Sequence, residues 1–544
     1  MRYTLPLESD ISESWTTKFN TNPQKCGLVC ARGWRGGRAR NQSLIPARHL
    51  SDRVNELAGW YKRSFNKTGI RLLIPLLALL LSPLPAGAEH AVPQRVPGTP
   101  VLALGAYSLA AQGYTEREFF FAGTAVAYRA VRNAAGETVR PWKHRAYRTR
   151  LVVLAPRDPR RFNGTVAVEW LNVSTGHDIP IEWIMLHREM LRSGYAYVGV
   201  SAQKAGVAEE SGLGRSSQAL QAMNPKRYAG LALPRDAFSF DIFSDAGRLL
   251  RQQPAILLDG LSPRHLLAMG DSQSALYLTT YVKYIDPLAR VYDGYLIHSR
   301  AGAAASLNWN TLYSASPEEM ARPVRLPEYP RVPVLQLLTE TDVNGLGGFI
   351  GFAAARQPDG PHLRSWEIPG AAHVDNYLLA GGMIDTPQLP PAVLAGIWAP
   401  MRNIGGTQLA LPINNGPQHH YVAEAALAAL NRWVIQGKAP AHAPAIALAR
   451  ESFSPLRDAC GNAQGGIRTP WVDVPVSSLS GIGGLTGFAI PFDQARLARL
   501  YPGGRAQYLR LFAVALDRAI TAGFILKADR TEILAVAALT DPLR

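Results

Sequence analysis

Cysteine is scarce in this chain of 544 residues, which contains only Cys26, Cys30 and Cys460. The first two fall in an N-terminal segment that we expect to be removed, which leaves Cys460 alone. One cysteine cannot form an internal disulfide, and no paired C-x-x-C motif indicates a zinc site. We therefore expect the mature fold to be held together by its hydrophobic core alone.

Motifs for bound cofactors are also missing. The sequence has no H-E-x-x-H metal motif, no Walker loop and no G-x-G-x-x-G that opens a helix. We therefore predict that the protein uses neither a metal nor an organic cofactor. Hydrolysis by amino-acid side chains is the simplest chemistry that remains.

The basic excess of the chain is concentrated near its start. The formal net charge is +16, but residues 1–88 hold 13 Lys and Arg against 5 Asp and Glu, so the rest carries +8. That part shows no basic stripe interleaved with aromatic residues, the pattern expected of a nucleic-acid surface. We predict no nucleic-acid partner.

A short apolar run at residues 70–81 has the pattern of a secretory signal. Basic residues precede it, and Ala86-Gly87-Ala88 after it is typical of a cleavage site, so we expect cleavage after Ala88. The run is too short for a transmembrane helix, which needs about 20 residues. This pattern predicts a secreted or periplasmic protein with no stable membrane span in its mature form.

The signal pattern, at residues 69–88, begins unusually far into the chain. Residues 1–68 are polar and arginine-rich, whereas secretory signals start near the N-terminus. We interpret residues 1–68 as an incorrectly assigned extension; a disordered basic arm on an uncleaved anchor is the alternative. Either way, we expect residues 89–544 to form one large folded domain with insertions, and two closely packed units are the alternative.

Apolar runs alternate with helical patterns in that domain. This alternation predicts an α/β fold with a mostly parallel central sheet flanked by helices, preceded by antiparallel strands. The predicted strands are residues 114–131, 147–155, 165–171, 195–200, 265–269, 292–297, 334–338 and 366–368. The predicted helices are residues 181–191 and 238–250, the segment after residue 272, and a final helix at 506–522.

Three stretches rich in Gly, Pro, Asn and Ala interrupt the alternation, at residues 202–235, 301–331 and 377–417. They follow predicted strand ends or loops at the edge where open α/β sheets bind ligands. We predict that they are cap insertions over a cleft, with plain surface loops as the alternative.

Residues 265–278, HLLAMGDSQSALYL, combine a strand pattern, a turn of small residues and a helix pattern. Apolar residues at helical spacing continue to Asp286-Pro287, which we expect to end the helix. Ser272 stands at the turn of this G-x-S-x-S motif, where small residues permit a strained backbone. The pattern indicates a nucleophilic serine, although a Gly-Ser loop between core elements would also fit it.

A nucleophilic serine needs a base to take its proton and a third group to hold that base. On this kind of turn the order along the chain is serine, acid, histidine. Glu340 and Asp342 follow the predicted strand at 334–338, and His373 follows the last predicted strand. We predict His373 as the base and Asp342 as the acid, with Glu340 as the alternative acid.

Other histidines could compete for the role of base. His298 precedes the acid and so breaks the expected order. His419 and His420 fit the order less well, and we expect them to line a pocket or cap a helix.

Stabilisation of an oxyanion requires N–H donors beside the serine. The backbone N–H of Gln273 is the first candidate, because it directly follows Ser272. The second is expected after the strand at 165–171, from the backbone near Asn172 and Val173 or from the Asn172 side chain. An ordinary turn at the strand end is the alternative.

The sequence resembles the α/β-hydrolase superfamily and, more narrowly, a bacterial group of exported α/β-hydrolase-domain proteins. The resemblance covers roughly residues 95–544 and rests on GDSQSALYL, YDGYLIHSR, VPVLQLLTETD, IPGAAHVDNY, PINNGPQHHYV and GNAQGGIRTPWVDVP. It implies an α/β-hydrolase fold and a triad of Ser272, His373 and either Asp342 or Glu340.

These features predict a secreted carboxylesterase that forms an acyl-enzyme on Ser272 and acts on a small-molecule ester. A peptidase or amidase would use the same triad. A non-catalytic envelope protein could keep the fold as a binding scaffold, but it would have no reason to retain all three residues. The sequence leaves the oligomeric state open.

Overall fold

The computed structural model describes residues 92–133, 136–208, 210–211, 214–215, 217–404, 406–450 and 453–543. The predictions for residues 1–68 and for the signal at 69–88 lie outside these residues. Among the described residues, no helix is both long and apolar enough to cross a membrane.

A nine-stranded sheet organises the described chain, in the order β1-β2-β3-β5-β4-β6-β7-β8-β9. The strands are β1 (Gln94–Val96), β2 (Tyr114–Asn133), β3 (Gly136–Pro156), β4 (Thr165–Trp170), β5 (Ala196–Val200), β6 (His265–Asp271), β7 (Gly294–His298), β8 (Val334–Thr339) and β9 (Leu363–Ile368). The pairs β1–β2, β2–β3 and β3–β5 are antiparallel, and every pair from β5 to β9 is parallel. The predicted α/β class with a mostly parallel sheet is confirmed.

Helices cover both faces of this sheet. The main helices are α1 (Ile181–Ser193), α2 (Ser239–Gln252), α3 (Gln273–Thr280), α4 (Glu340–Asn344), α5 (Asn376–Leu379), α6 (Gln418–Gln436), α7 (Gly504–Thr521) and α8 (Arg530–Thr540). One core layer joins α2 and α3 to one face of the strands. The other joins α1, α6, α7 and α8 to the opposite face. Because both faces are covered, all six residues of β4 and of β8 are buried, which explains why apolar residues occupy alternate as well as adjacent positions along these strands.

Two predicted boundaries were wrong. Asp286-Pro287 does not end the helical segment after residue 272, because a π turn at Tyr281–Ile285 leads directly into a short helix at Asp286–Ala289. Proline lacks only an N–H that the first turn of a helix leaves unpaired, so Pro287 is tolerated there. The helix near the C-terminus is also not the last one, because α8 follows it.

The three interrupting stretches contain short elements of their own. Their α-helices are Lys204–Val207, Leu220–Met223 and Pro225–Tyr228 in the first, Pro317–Ala321 in the second, and α5 (in part) and Pro391–Ile397 in the third. In the second stretch, the Tyr313 hydroxyl donates to the carbonyl of Ser174, just beyond β4. This contact joins the stretch at 301–331 to the edge of the sheet that carries Ser272.

Further short elements complete the fold. They are the helices Pro254–Leu257, Pro470–Asp473 and Gln494–Leu500 and the two-stranded hairpins Gly345–Leu346 with Phe349–Ile350, Asn403–Ile404 with Thr407–Gln408, Glu210–Ser211 with Gly214–Arg215, and Ser477–Ser480 with Phe488–Pro491. The last hairpin packs beside the loop of His373, since Val374 N–H donates to the Leu485 carbonyl over 2.9 Å.

Candidate active site

Ser272 occupies a sharp turn between β6 and α3. Its backbone angles, φ 59° and ψ −115°, lie in a region that residues other than glycine rarely adopt. The turn is tight enough that a Cβ on Gly270 would lie 2.9 Å from the Cβ of Ser274. This crowding explains why small residues, Gly270 and Ser274, stand two positions before and after the serine. The sharp turn presents Ser272 at the carboxyl edge of the parallel strands.

The structure brings three of the predicted residues into one hydrogen-bonded row. Ser272 Oγ lies 2.9 Å from His373 Nε2, and His373 Nδ1 lies 2.7 Å from Asp342 Oδ1. The serine is half-buried, whereas the other two side chains are buried. Asp342 lies on α4, the short helix directly after β8, and His373 follows β9. The three residues therefore stand in the predicted order along the chain.

Asp342 is held by the helix turn that carries it. Its Oδ2 accepts hydrogen bonds from the backbone N–H and the hydroxyl of Thr339, over 2.7 and 2.8 Å. Burial alone would favour the neutral acid, but the charge of His373 and these hydrogen bonds bring the pKa of Asp342 below its ordinary value. The carboxylate is therefore ionised, with Oδ1 free to accept from His373.

The electrostatics of His373 favour its charged form. Burial disfavours the imidazolium, but the charge and hydrogen bond of Asp342 outweigh burial and raise the pKa of His373 above its ordinary value. An imidazole of this kind accepts a proton from a neighbouring hydroxyl more readily than an isolated one.

Glu340, the alternative acid, has a different set of partners. Its Oε2 accepts the backbone N–H of Gly370 over 2.8 Å. Its Oε1 lies 2.5 Å from Arg457 Nη2 and accepts the N–H of Gly481 over 3.2 Å. The structure therefore does not bring Glu340 to His373, but instead uses it to tie the histidine loop to the C-terminal part of the chain.

The loop that carries His373 is fixed by polar side chains from distant segments. Asn414 Nδ2 and Gln418 Nε2 both donate to the carbonyl of Gly370 over 2.8 Å. Thr341 Oγ1 accepts the backbone N–H of His373 over 3.1 Å. Sequence reasoning missed these residues, although PINNGPQHHYV, which contains Asn414 and Gln418, carried the signal.

The predicted oxyanion donors are arranged less simply than expected. The N–H of Gln273 opens α3 and has no acceptor within its own helix, as at every helix start. The N–H of Val173, however, donates to the Gln273 side-chain oxygen over 3.1 Å, and Asn172 Nδ2 donates to the Asp271 carbonyl over 3.1 Å. In this arrangement the backbone N–H groups of Asn172 and Val173 both have acceptors, the Ile179 carbonyl and the Gln273 side chain, and one N–H of the Asn172 amide is occupied by the turn backbone.

The rival histidines lie elsewhere. His298 Nε2 lies 2.9 Å from His419 Nε2, and His420 Nδ1 contacts the Met185 carbonyl. No hydrogen bond joins any of the three to Ser272 Oγ. Among the described residues, no group of three or more His, Cys, Asp or Glu side chains is arranged to hold a metal ion.

Several solved structures resemble parts of this chain. A fungal esterase from Rhizomucor miehei is 13% identical to this chain, and the alignment covers 58% of this chain and 85% of that one with a TM-score of 0.26. A thermostable esterase from Pseudomonas putida is 12% identical, with 44% and 67% covered and a TM-score of 0.23. Thermogutta terrifontis esterase 2 is 10% identical, with 40% and 77% covered and a TM-score of 0.23.

Membership of a family follows from the sequence of the whole domain rather than from these distant likenesses. No curated protein is similar enough in sequence to count as a relative. Residues 80–535, most of the chain, match the family described as the alpha/beta hydrolase domain. The strand order, the turn at Ser272 and this match agree, and the chain belongs to the alpha/beta hydrolase domain family.

Proposed function

We propose that the protein is an exported serine hydrolase that cleaves small carboxylic esters through an acyl-enzyme on Ser272. The observation that carries the proposal is the row Ser272–His373–Asp342, with contacts of 2.9 and 2.7 Å at a strained turn. Export is supported by the signal pattern at residues 70–81.

The placement of the three side chains supports a reaction through an acyl-enzyme. Ser272 Oγ attacks the ester carbonyl carbon as its proton passes to His373 Nε2, and Asp342 stabilises the imidazolium that forms. The carbonyl π electrons move to oxygen, where the Gln273 N–H donates to the oxyanion. When the intermediate collapses, the C–O bond to the alcohol breaks and the alcohol leaves with the proton from His373. Water then releases the acid by the same steps.

A second oxyanion donor requires a change of partner. Val173 N–H points at the Gln273 side-chain oxygen, which is a neutral acceptor. A developing oxyanion is a stronger acceptor, so we propose that Val173 exchanges one for the other as the Gln273 side chain turns away. The Gln273 backbone N–H needs no such change.

The activity should be lost at acid pH with a midpoint above 6.5. His373 accepts a proton only when neutral, and Asp342 raises the pKa of His373 above 6.5 despite its burial. As the pH falls through that pKa, the charged fraction grows and kcat/KM declines. The pH dependence of kcat/KM for p-nitrophenyl acetate measures the midpoint, and a value below 6.5 would contradict the assigned pair.

Esters should be cleaved much faster than amides of the same acid. Hydrolysis of p-nitrophenyl butyrate and of butyryl p-nitroanilide compares two leaving groups on one acyl group. Faster ester cleavage by more than about 100-fold is expected, because p-nitrophenolate is a weak base that leaves with little help from His373, whereas the anilide nitrogen must receive a proton from His373 as it leaves. Equal rates would favour the amidase alternative, and no turnover of either, with no labelling by a fluorophosphonate, would favour the binding scaffold.

A further inference from the structure

Four buried polar side chains lead from the start of α2 to the turn that carries Ser272. They are Trp170 at the end of β4, Gln203 three residues after β5, Asp236 in the 3-10 turn before α2 and Gln273 at the start of α3. Each is at most 3% exposed. Buried polar groups are costly unless they bond to one another, and these four do so. We call them the amide network.

The amide network ends on the loop after β4. Trp170 Nε1 and Gln273 Nε2 both donate to Gln203 Oε1, over 2.8 and 2.7 Å. Gln203 Nε2 donates to Asp236 Oδ2 over 2.6 Å. At the other end, Val173 N–H donates to Gln273 Oε1 over 3.1 Å. Hydrogen bonds therefore connect Asp236 to Val173 without a break.

The orientation of the Gln203 amide is fixed on both sides. The Trp170 indole N–H can only donate, so the Gln203 atom that faces it must be the oxygen. The Asp236 carboxylate can only accept, so the atom that faces it must be the nitrogen. Burial raises the pKa of Asp236 to about 6, and this carboxylate is therefore ionised at neutral and alkaline pH. A turned Gln203 amide would place donor against donor and acceptor against acceptor.

Gln203 in turn fixes the Gln273 amide. Gln203 Oε1 can only accept, so Gln273 presents its nitrogen there and its oxygen to the Val173 N–H. Half a turn of the Gln273 amide would bring two oxygens together at one end and two N–H groups at the other. The network therefore has one consistent arrangement of donors, and that arrangement keeps an acceptor on the Val173 N–H.

The neighbouring backbone does not replace this donor. Asn172 N–H donates to the Ile179 carbonyl over 3.1 Å, and Ser174 N–H donates to Asn172 Oδ1 over 2.9 Å. An oxyanion on Ser272 therefore gains a second donor here only by drawing the Val173 N–H away from Gln273. Giving up a neutral hydrogen bond of this kind costs roughly fivefold in rate.

We propose that Trp170, Gln203 and Asp236 hold the Gln273 amide against the Val173 N–H and so keep the second oxyanion donor closed in the free protein. The donor opens when a seated ester develops negative charge on its carbonyl oxygen, because a charged oxygen is a stronger acceptor than an amide oxygen. This inference rests on the proposed function. Trp170, Gln203 and Asp236 are positioning residues, because they act through Gln273 and touch no reacting atom.

Gln273→Met tests the closed donor directly. Methionine is similar in length and has no amide, so the Val173 N–H is released while Gln203 keeps its bonds to Trp170 and Asp236. The readouts are kcat/KM for p-nitrophenyl butyrate and the rate at which a fluorophosphonate labels Ser272, both at about pH 8. Both should rise roughly fivefold. Rates equal to or below those of the wild type would overturn the proposal, because a Gln273 side chain that only braces the loop makes the variant slower.

Gln203→Met separates positioning from a general structural role. It removes the acceptor that orients Gln273, and it also leaves the Trp170 N–H unpaired, so the unfolding midpoint should fall. In the wild-type background labelling should become faster, whereas in the Q273M background Gln203→Met should change nothing. The double variant shares the loss of stability and is therefore the matched control. An equal effect in both backgrounds would show that Gln203 does not act through Gln273, and would overturn the proposal.

Hydrogen exchange provides a readout that does not depend on catalysis. Deuterium uptake by the backbone of residues 172–176 should be faster in Q273M than in the wild type, because the Val173 N–H has lost its acceptor. Unchanged uptake would overturn the closed donor even if the protein is an active esterase. Faster uptake in a folded protein that a fluorophosphonate never labels would instead contradict the proposed function.

Discussion

Ser272→Ala is expected to reduce ester turnover by up to about 10⁶-fold, because the row that it breaks acts as a unit. Without Oγ no acyl-enzyme can form, and His373 has no hydroxyl to deprotonate. Residual turnover would come from binding and from the Gln273 N–H, which typically leave about 10³–10⁴-fold over water. The measurements are kcat/KM for p-nitrophenyl esters, which should fall to this residual level, and labelling by a fluorophosphonate, which should be absent.

Ser274→Ala is the matched control for this substitution. Ser274 stands two residues away in the same motif and is completely buried, with its hydroxyl 3.5 Å from the Gln273 side-chain oxygen. Alanine fits the same crowded position against Gly270. S274A should therefore retain most of the activity, and activity that persists in S272A preparations free of contaminants would refute the nucleophile.

The turn itself should survive the loss of its serine. Ala shares the backbone preferences of Ser, so S272A leaves the strain at φ 59° in place, and that strain typically costs about 1–3 kcal/mol. Thermal unfolding should consequently show little difference between S272A and the wild type. A large change in the unfolding midpoint would mean that the loss of activity reports on folding rather than on chemistry.

The parts of the site that the sequence predicted are those set by short stretches of chain. The apolar run into Gly270-Asp271-Ser272 favours a strand followed by a tight turn on local sequence alone. The central strands carry apolar residues on both faces because both faces are covered, and the order of serine, acid and histidine follows from the connection of the strands. These features depend on nearest neighbours and on topology, both of which sequence patterns report.

The choice between Asp342 and Glu340 needed a finer signal that the sequence did contain. Thr339 and Asp342 form a capping box, in which each side chain bonds to the backbone of the other. That box fixes one face of the short helix α4 and so decides which carboxylate turns towards His373. Read as a capping box, T-x-x-D would have favoured Asp342.

Other features depend on side chains that meet only after folding. His298 and His419 are 121 residues apart in the sequence, yet their Nε2 atoms lie 2.9 Å apart, and no local sequence pattern predicts this contact. The Val173 N–H is occupied because one rotamer of Gln273 reaches it, and a rotamer cannot be inferred from spacing. The anchoring of Gly370 by Asn414 and Gln418 likewise needs the packing of α6 against the sheet.

Asp342→Asn is expected to lower kcat by about 10⁴-fold, the second largest effect on the site. Thr339 donates two hydrogen bonds to Asp342 Oδ2, so an asparagine must keep its oxygen there and turn its amide towards His373. The amide is a donor, and it forces Nδ1 to accept and the ring proton to Nε2. His373 would then point an N–H at Ser272 and could not take its proton.

Glu340→Gln is the matched control, since it removes the other carboxylate in the same turn. Its Oε2 and Oε1 accept the N–H groups of Gly370 and Gly481, and a glutamine can replace only part of this set. The variant should lose stability, because Arg457 is left without its ion pair, yet keep kcat within about tenfold of the wild type. Steady-state kinetics of both variants decide the point: a loss in E340Q as large as that in D342N would show that the acid had been assigned to the wrong carboxylate.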